Sequence, residues 1–205
     1  MDDWGYESIS VPSDGSCFFT SISKAMNDSM HKWMDRPNIR DIMNHHFDRY
    51  KRINPGNKTN STQNISQKFI RYMSAAAMDE TSLIMHNEEA AVLKSKTFET
   101  PEELARHVLY TNCWADQSMI RSFLKSTNYM ISVVLFDRRT KKPIFSPREW
   151  TFNKTFYICI QLEMNHYTPL RLIFKETPLD MCISRNVIRS LMSAMGSEYD
   201  FEDMY

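Results

Sequence analysis

The sequence predicts an α+β fold in which helices pack around a small, mainly antiparallel sheet, and three observations predict it. Apolar residues recur at helical spacing through most of the chain before residue 128, as in Ile39, Ile42, Met43, His46, Phe47 and Tyr50. Short runs rich in β-branched and aromatic residues then follow at 129–136, 157–162 and 169–174. Turn signals separate the segments, above all Asn54-Pro55-Gly56-Asn57 and the charged stretch from Asp137 to Pro147.

Taken in order, residues 1–12 are polar and aromatic, and Pro12 imposes an extended approach to a turn at Asp14. Gly15 allows a sharp turn before a helix whose buried face carries Phe18, Ile22, Ala25 and Met26. Asp35-Arg36-Pro37-Asn38 breaks the chain before the helix over 39–50. Residues 57–64 form a polar loop. Its Asn57, Asn60 and Asn64 match the glycosylation acceptor pattern, which has no use without a secretory route. Ile65, Phe69, Tyr72, Met73 and Ala76 line the next helix, and another spans Glu80 to Leu93. Thr100-Pro101-Glu102-Glu103 combines a capping threonine, a first-turn proline and a capping-box glutamate, which starts a helix running to about Tyr110. Asp116 caps a helix buried through Met119, Ile120, Phe123 and Leu124 and closed by Asn128. A buried strand covers 129–136, with a short edge strand at Glu149 to Phe152. The runs 157–162 and 169–174 pair as a hairpin whose loop carries His166, and Pro169 confines its strand to a sheet edge or a late start. Ser184 caps a last helix with Val187, Ile188, Leu191, Met192 and Met195 on one face, before a disordered acidic and aromatic tail.

The whole chain sets limits. Its 205 residues support one substantial core, assigned to residues 1–175, with 176–205 as a terminal helix and tail. Twenty-five basic residues balance 25 acidic ones, so charge points to no nucleic-acid partner. No apolar run approaches a membrane span and no signal peptide opens the chain, so a cytoplasmic monomer is expected. Cys17, Cys113, Cys159 and Cys182 are widely spaced and read as reduced thiols. They form no Cys-x-x-Cys pair, and the adjacent His45 and His46 point apart on a helix, so neither a metal nor another cofactor is expected.

One stretch has the order of chemistry. In Asp14-Gly15-Ser16-Cys17-Phe18-Phe19-Thr20-Ser21-Ile22, Cys17 sits at a helix N-terminus, where unpaired N–H groups and the helix dipole lower a thiol pKa. The backbone N–H groups of Asp14, Gly15, Ser16 and Cys17 are positioned to receive an oxyanion. Far down the chain, Asn165-His166-Tyr167 lies between two strands, and His166 suits a base reaching to that cysteine.

These residues resemble the ovarian-tumour (OTU) family of cysteine proteases. Asp14-Gly15-Ser16-Cys17 is similar to the family's nucleophile box, Ile39-Arg40-Asp41-Ile42-Met43 to its next helix, Trp114-Ala115-Asp116 through Ile131-Ser132-Val133 to its tryptophan, helix and strand block, and Asn165-His166-Tyr167 to its histidine box. The resemblance implies a papain-like architecture, hydrolysis of isopeptide bonds to ubiquitin or a ubiquitin-like modifier, and the compactness of viral or bacterial effector members. It assigns Cys17 as nucleophile, His166 as general base and later acid, and Asp14 as a shaper of the oxyanion pocket. Many members hold the histidine with an Asp or Asn two residues on, where this chain has Thr168. Asn165, Asp2, Asp3 or Glu7 are the other candidates for that third role. Trp114 is read either as an anchor of its helix to the sheet or, with Tyr167, as a wall of the channel for the modifier's tail. The alternative to a hydrolase is a catalytically inactive OTU-fold binder of ubiquitin.

Overall fold

The computed structural model describes residues 3–55, 64–140, 142–144, 156–164 and 166–195. The edge strand at 149–152, the acceptor sites at Asn57 and Asn60, the acidic tail, Asp2 and Asn165 lie outside them. Strand β1 (Trp4–Ser8) precedes α1 (Cys17–Asp28), α2 (Met30–Met34), α3 (Pro37–Ile53), α4 (Gln67–Ala76), α5 (Glu80–Leu93), α6 (Pro101–Tyr110) and α7 (Gln117–Ser126). Then come β2 (Ile131–Asp137), β3 (Pro143–Ile144), β4 (Phe156–Glu163), β5 (His166–Phe174), β6 (Thr177–Pro178), β7 (Cys182–Ile183) and α8 (Arg185–Ala194).

Side chains cap the starts of α4, α5, α6 and α7. Thr100 accepts the Glu103 N–H, Asp116 that of Met119, Asp79 that of Ser82 and Ser66 that of Phe69, each satisfying an N–H that lacks a partner within its own helix. Two expectations change. Ile65 lies before the α4 cap rather than on the helix, tied down by an Asn27 Oδ1 bond to its N–H at 2.8 Å. Ser184 occupies the cap position of α8 but makes no capping bond.

The sheet order is β1-β5-β4-β2-β3, antiparallel except for the β2–β4 pair, with β6 on β5 and β7 on β4. Alternation along the strands gives two cores. Ile158, Ile160, Val133, Leu135 and Tyr167 join Phe18, Ile22, Phe69 and Phe123 in the larger one, on the side of α1, α4 and α7. Tyr157, Cys159, Val134, Leu170 and Leu172 meet Ile188, Leu191 and Met192 of α8 on the other face.

The hairpin differs from its sequence reading in two ways. Strand β4 runs to Glu163, Met164 follows in the left-handed region at φ 53°, and His166 opens strand β5, opposite Glu163, instead of riding in a loop. Pro169 lies inside β5, between β4 and β1, because backbone groups alternate sides along a strand. The Pro169 carbonyl faces away from β4 and accepts the Ile9 N–H at 2.9 Å, so the missing proline N–H removes no bond to β4.

No helix among the described residues is long and apolar enough to cross a membrane. Because β7 pairs with β4 and α8 covers one sheet face, ending the chain after Lys175 uncovers Tyr157, Cys159, Leu170 and Leu172. Burial of each large side chain of α8 stabilises by about 1.5–3 kcal/mol, so a 1–175 variant is expected to unfold at much lower urea concentration or to be recovered insoluble. An unchanged urea midpoint would mark residues 176–205 as a mere appendage.

Candidate active site

The turn before α1 is built by Asp14 itself. Its Oδ1 accepts the Ser16 N–H at 2.8 Å and its backbone carbonyl accepts the Cys17 N–H at 3.2 Å. Gly15 is required by close approach, since a Cβ there would stand 1.8 Å from the Asn112 carbonyl oxygen. Cys17, the first residue of α1, is buried, and its Sγ accepts the Tyr167 N–H at 3.4 Å. One turn on, Ser21 Oγ lies 2.7 Å from the Cys17 carbonyl and 3.3 Å from that of Tyr167. The N-terminal turn of α1 thus docks on the edge of β5, beyond the end of the β1 ladder.

The electrostatics differ from the sequence expectation. Burial pushes the Cys17 thiol above its ordinary value and the Asp14 carboxylate adds to the rise, while N–H groups of Tyr167 and Phe18 act in the lowering direction without prevailing. Helix N-terminal polarity therefore loses to desolvation at this sulfur. Cys159 and Cys182 are pushed higher still by burial, each to about 12.

His166 is half-buried, and its Nδ1 is buried with no hydrogen-bond partner among the described residues. Thr168 shares its face of β5 and stands opposite Gln161. Glu163, which the sequence reading did not single out, stands across the ladder from His166 and is ion-paired to Arg138. The N-terminal acids are elsewhere. Glu7 lies opposite Arg171, five residues farther along β5 and thus roughly 17 Å from His166, and the Asp3 carbonyl binds the N–H of Lys175. The register removes both from the third role, because β1 ends at Ser8 opposite Leu170, short of His166.

Tyr167 connects the thiol to a cavity of about 560 Å³. Its ring lines that cavity and packs edge-on to Phe18 at 5.4 Å, and its hydroxyl donates to the Ala115 carbonyl at 3.1 Å. Trp114 also lines it, is 44% exposed and anchors no core, which corrects the anchor reading. Leu93, Ile144 and the 88% exposed Met164 add an apolar rim. His86 and Asp116 also line the cavity: the Asp116 carboxylate accepts from His86 Nδ1 at 2.5 Å, and His86 Nε2 faces the Lys96 carbonyl at 3.0 Å. With acceptors at both nitrogens, the hydrogen bond that His86 donates to the Asp116 carboxylate raises the His86 pKa. Burial acts to raise the Asp116 pKa, but bonds from His86, Ser118 and the Met119 N–H outweigh it and hold the carboxyl low. Among the described residues no three His, Cys, Asp or Glu side chains gather as a metal site.

A further residue, Arg71, escapes the sequence reading because an arginine on an amphipathic helix, here between Ile70 and Tyr72, reads as part of its solvent face. It is buried at 4% exposure and donates to the Gly15 carbonyl at 3.0 Å and to Ser16 Oγ at 3.1 Å.

No sequence-family model matches the chain, and no curated protein matches it significantly. Solved structures do. An OTU domain determined in complex with ubiquitin is 14% identical, with 96% of this chain and 91% of that chain covered and a TM-score of 0.50. The viral OTU domain protease of Dera Ghazi Khan virus is 18% identical over 82% of this chain and 81% of its own, with a TM-score of 0.41. An OTU deubiquitinase from Wolbachia pipientis wMel is 10% identical over 91% and 96%, with a TM-score of 0.46. The first of these likenesses establishes that the chain has the OTU fold.

Two outcomes follow from this geometry. Gly15→Ala forces the Asn112 backbone to move and is expected to cost at least about 2 kcal/mol in urea denaturation, whereas the exposed control Ser13→Ala costs under about 0.5. The His86–Asp116 clamp has a pH signature. A raised His86 pKa gives stability that is complete below the ordinary histidine value of 6.5 and is lost as pH rises through the folded value. A lowered Asp116 pKa gives stability that is present above 3.8 and is lost as pH falls through its folded value. His86→Gln is therefore expected to destabilise more at pH 5.5 than at pH 8.5, and an equal loss at both would remove the charged clamp.

Proposed function

We propose that the protein is a thiol hydrolase that releases ubiquitin or a ubiquitin-like modifier from conjugates, with Cys17 as nucleophile and His166 as proton carrier. The observation that carries the reading is the Tyr167 N–H bond to Cys17 Sγ, which fixes the sulfur beside the residue following His166. The OTU fold supports the substrate class, since the structure with that fold reported above contains ubiquitin.

In this mechanism His166 takes the Cys17 proton and the thiolate attacks the carbonyl carbon of the modifier's terminal glycine. Burial has raised the thiol pKa, so the sulfur needs the adjacent imidazolium to carry negative charge. Backbone N–H groups of the Asp14–Cys17 turn receive the oxyanion as substrate displaces their contacts with Asp14. The His166 imidazolium protonates the lysine amine, the C–N bond breaks and a thioester remains. His166 then deprotonates water, the water oxygen attacks the thioester, and sulfur leaves and recovers its proton. Thr168, or Asn165 beside His166, is the candidate that orients the ring. The cavity beside Trp114 and Tyr167 is the proposed place for the modifier's extended tail. No cofactor enters any step.

An inactive ubiquitin binder is the second reading, and the raised Cys17 pKa together with Thr168 in place of an acid favours it. A ubiquitin with an electrophilic C-terminus separates the two. The hydrolase reading expects a covalent adduct on the wild type and none on Cys17→Ala. It also expects turnover to fall at least about a thousandfold in Cys17→Ala and about 100- to 10,000-fold in His166→Ala. Adduct formation only with a ubiquitin-like probe would redirect the substrate, and folded wild type unreactive with every probe would leave the binder.

A further inference from the structure

Arg71 is a buried cation that takes part in none of the ion pairs among the described residues. Burying an uncompensated guanidinium is costly, so its compensation has to come from oriented dipoles. One amino group, Nη1, faces the Val108 carbonyl at 3.0 Å, the Thr111 carbonyl at 2.9 Å and Cys113 Sγ at 3.4 Å. The other, Nη2, faces the Gly15 carbonyl and Ser16 Oγ. The guanidinium carbon lies 4.2 Å from the centre of the Phe19 ring, a favourable place for a cation. A single side chain thereby ties the turn before Cys17 to the connection between α6 and α7, whose Asn112 carbonyl already abuts Gly15.

The Gly15–Ser16 peptide is held at both ends. Its carbonyl points into Arg71, and its N–H points to the Asp14 carboxylate. In a trans peptide the two groups point in opposite directions, so fixing one fixes the other. Were this peptide to flip, a carbonyl oxygen would replace the Ser16 N–H on the side that now meets negative charge. That oxygen would repel Asp14, a Cys17 thiolate and a substrate oxyanion alike.

We propose that Arg71 is a positioning residue: its two-armed guanidinium locks the Gly15–Ser16 peptide with the N–H on the anion-receiving side of Cys17. The proposal rests on the hydrolase reading for its catalytic consequence, while the locking of the turn stands apart from it. Lysine cannot substitute, because a single ammonium cannot reach two separated backbone segments with the fixed fork of an arginine.

The test compares wild type, Arg71→Lys, Arg71→Met and Leu191→Ala, the last a control that weakens the core on the far face of the sheet. Two readouts are taken at a temperature where each protein is folded: hydrolysis of a ubiquitin bearing a fluorogenic C-terminal amide, and amide hydrogen exchange of residues 14–18. Arg71→Met is expected to lower kcat at least about 100-fold, with KM within about threefold of wild type. It is also expected to speed exchange at 14–18 at least about tenfold while leaving α8 unchanged. Arg71→Lys is expected to follow it, and Leu191→Ala to keep its kcat. A kcat within threefold of wild type, a loss no greater than that of Leu191→Ala, or unchanged exchange at 14–18 would overturn the proposal. Should Arg71→Met not fold, Arg71→Lys is judged on the same criteria. Should wild type itself fail to hydrolyse the substrate, the hydrolase reading falls and the exchange comparison alone decides whether Arg71 locks the turn.

Discussion

The arrangement depends on α1 taking the place of a strand along half of one edge of β5. The β1 ladder ends at Ser8 opposite Leu170, with one more bond from Ile9 to the Pro169 carbonyl. Beyond that point the outward backbone groups of Tyr167 are satisfied by α1, its N–H at Cys17 Sγ and its carbonyl near Ser21 Oγ. Had β1 continued its pairing, the Tyr167 groups would have been consumed in the ladder and the helix excluded. Two segments at opposite ends of the sequence meet because a sheet edge is left partly open. The edge-on contact of Phe18 with Tyr167 then fixes how far α1 slides along β5.

Much of this was legible in the chain, and the legible part follows local rules. The helix at 101–110 emerges where its capping threonine, first-turn proline and capping-box glutamate place it, because a cap is satisfied within three residues. The Asp-Gly-Ser-Cys turn was visible for the same reason, and so was the strand read at 129–136, which starts two residues later, at Ile131, because Asn128 and Tyr129 take positive φ in a turn. What escaped depends on contacts distant in sequence. Arg71 looks like an ordinary surface arginine of an amphipathic helix until α6, the Asn112 loop and the Gly15 turn close around it. The polarity of Pro169 within β5 depends on which neighbour each backbone group faces, and no sequence pattern reports that. The two readings of Trp114 could not be separated in the sequence, because its neighbours form a helix start with a buried face while its own side chain lines the cavity. The Cys17 pKa reversed direction because desolvation scales with the whole environment, and the helix-terminus argument counts only its first turn.

The same balance bears on how such a site would operate. A buried thiol beside the Asp14 carboxylate disfavours the thiolate, and the nearby buried cation spends its donors on carbonyls and a hydroxyl while its one sulfur contact is Cys113 rather than Cys17. In the proposed chemistry Cys17 therefore rests closer to a neutral thiol, and its thiolate forms when the charge is useful. Asp14 is central to that timing. Its carboxylate occupies the Ser16 N–H, which keeps the turn in shape and raises the sulfur pKa together. In the proposed chemistry a substrate carbonyl competing for that N–H draws the carboxylate off it, which weakens the repulsion at sulfur as the oxyanion begins to form. Arg71 makes the exchange possible by holding the peptide while its occupant changes. A loose turn would follow Asp14 outward, and the donors would be lost at the step that requires them.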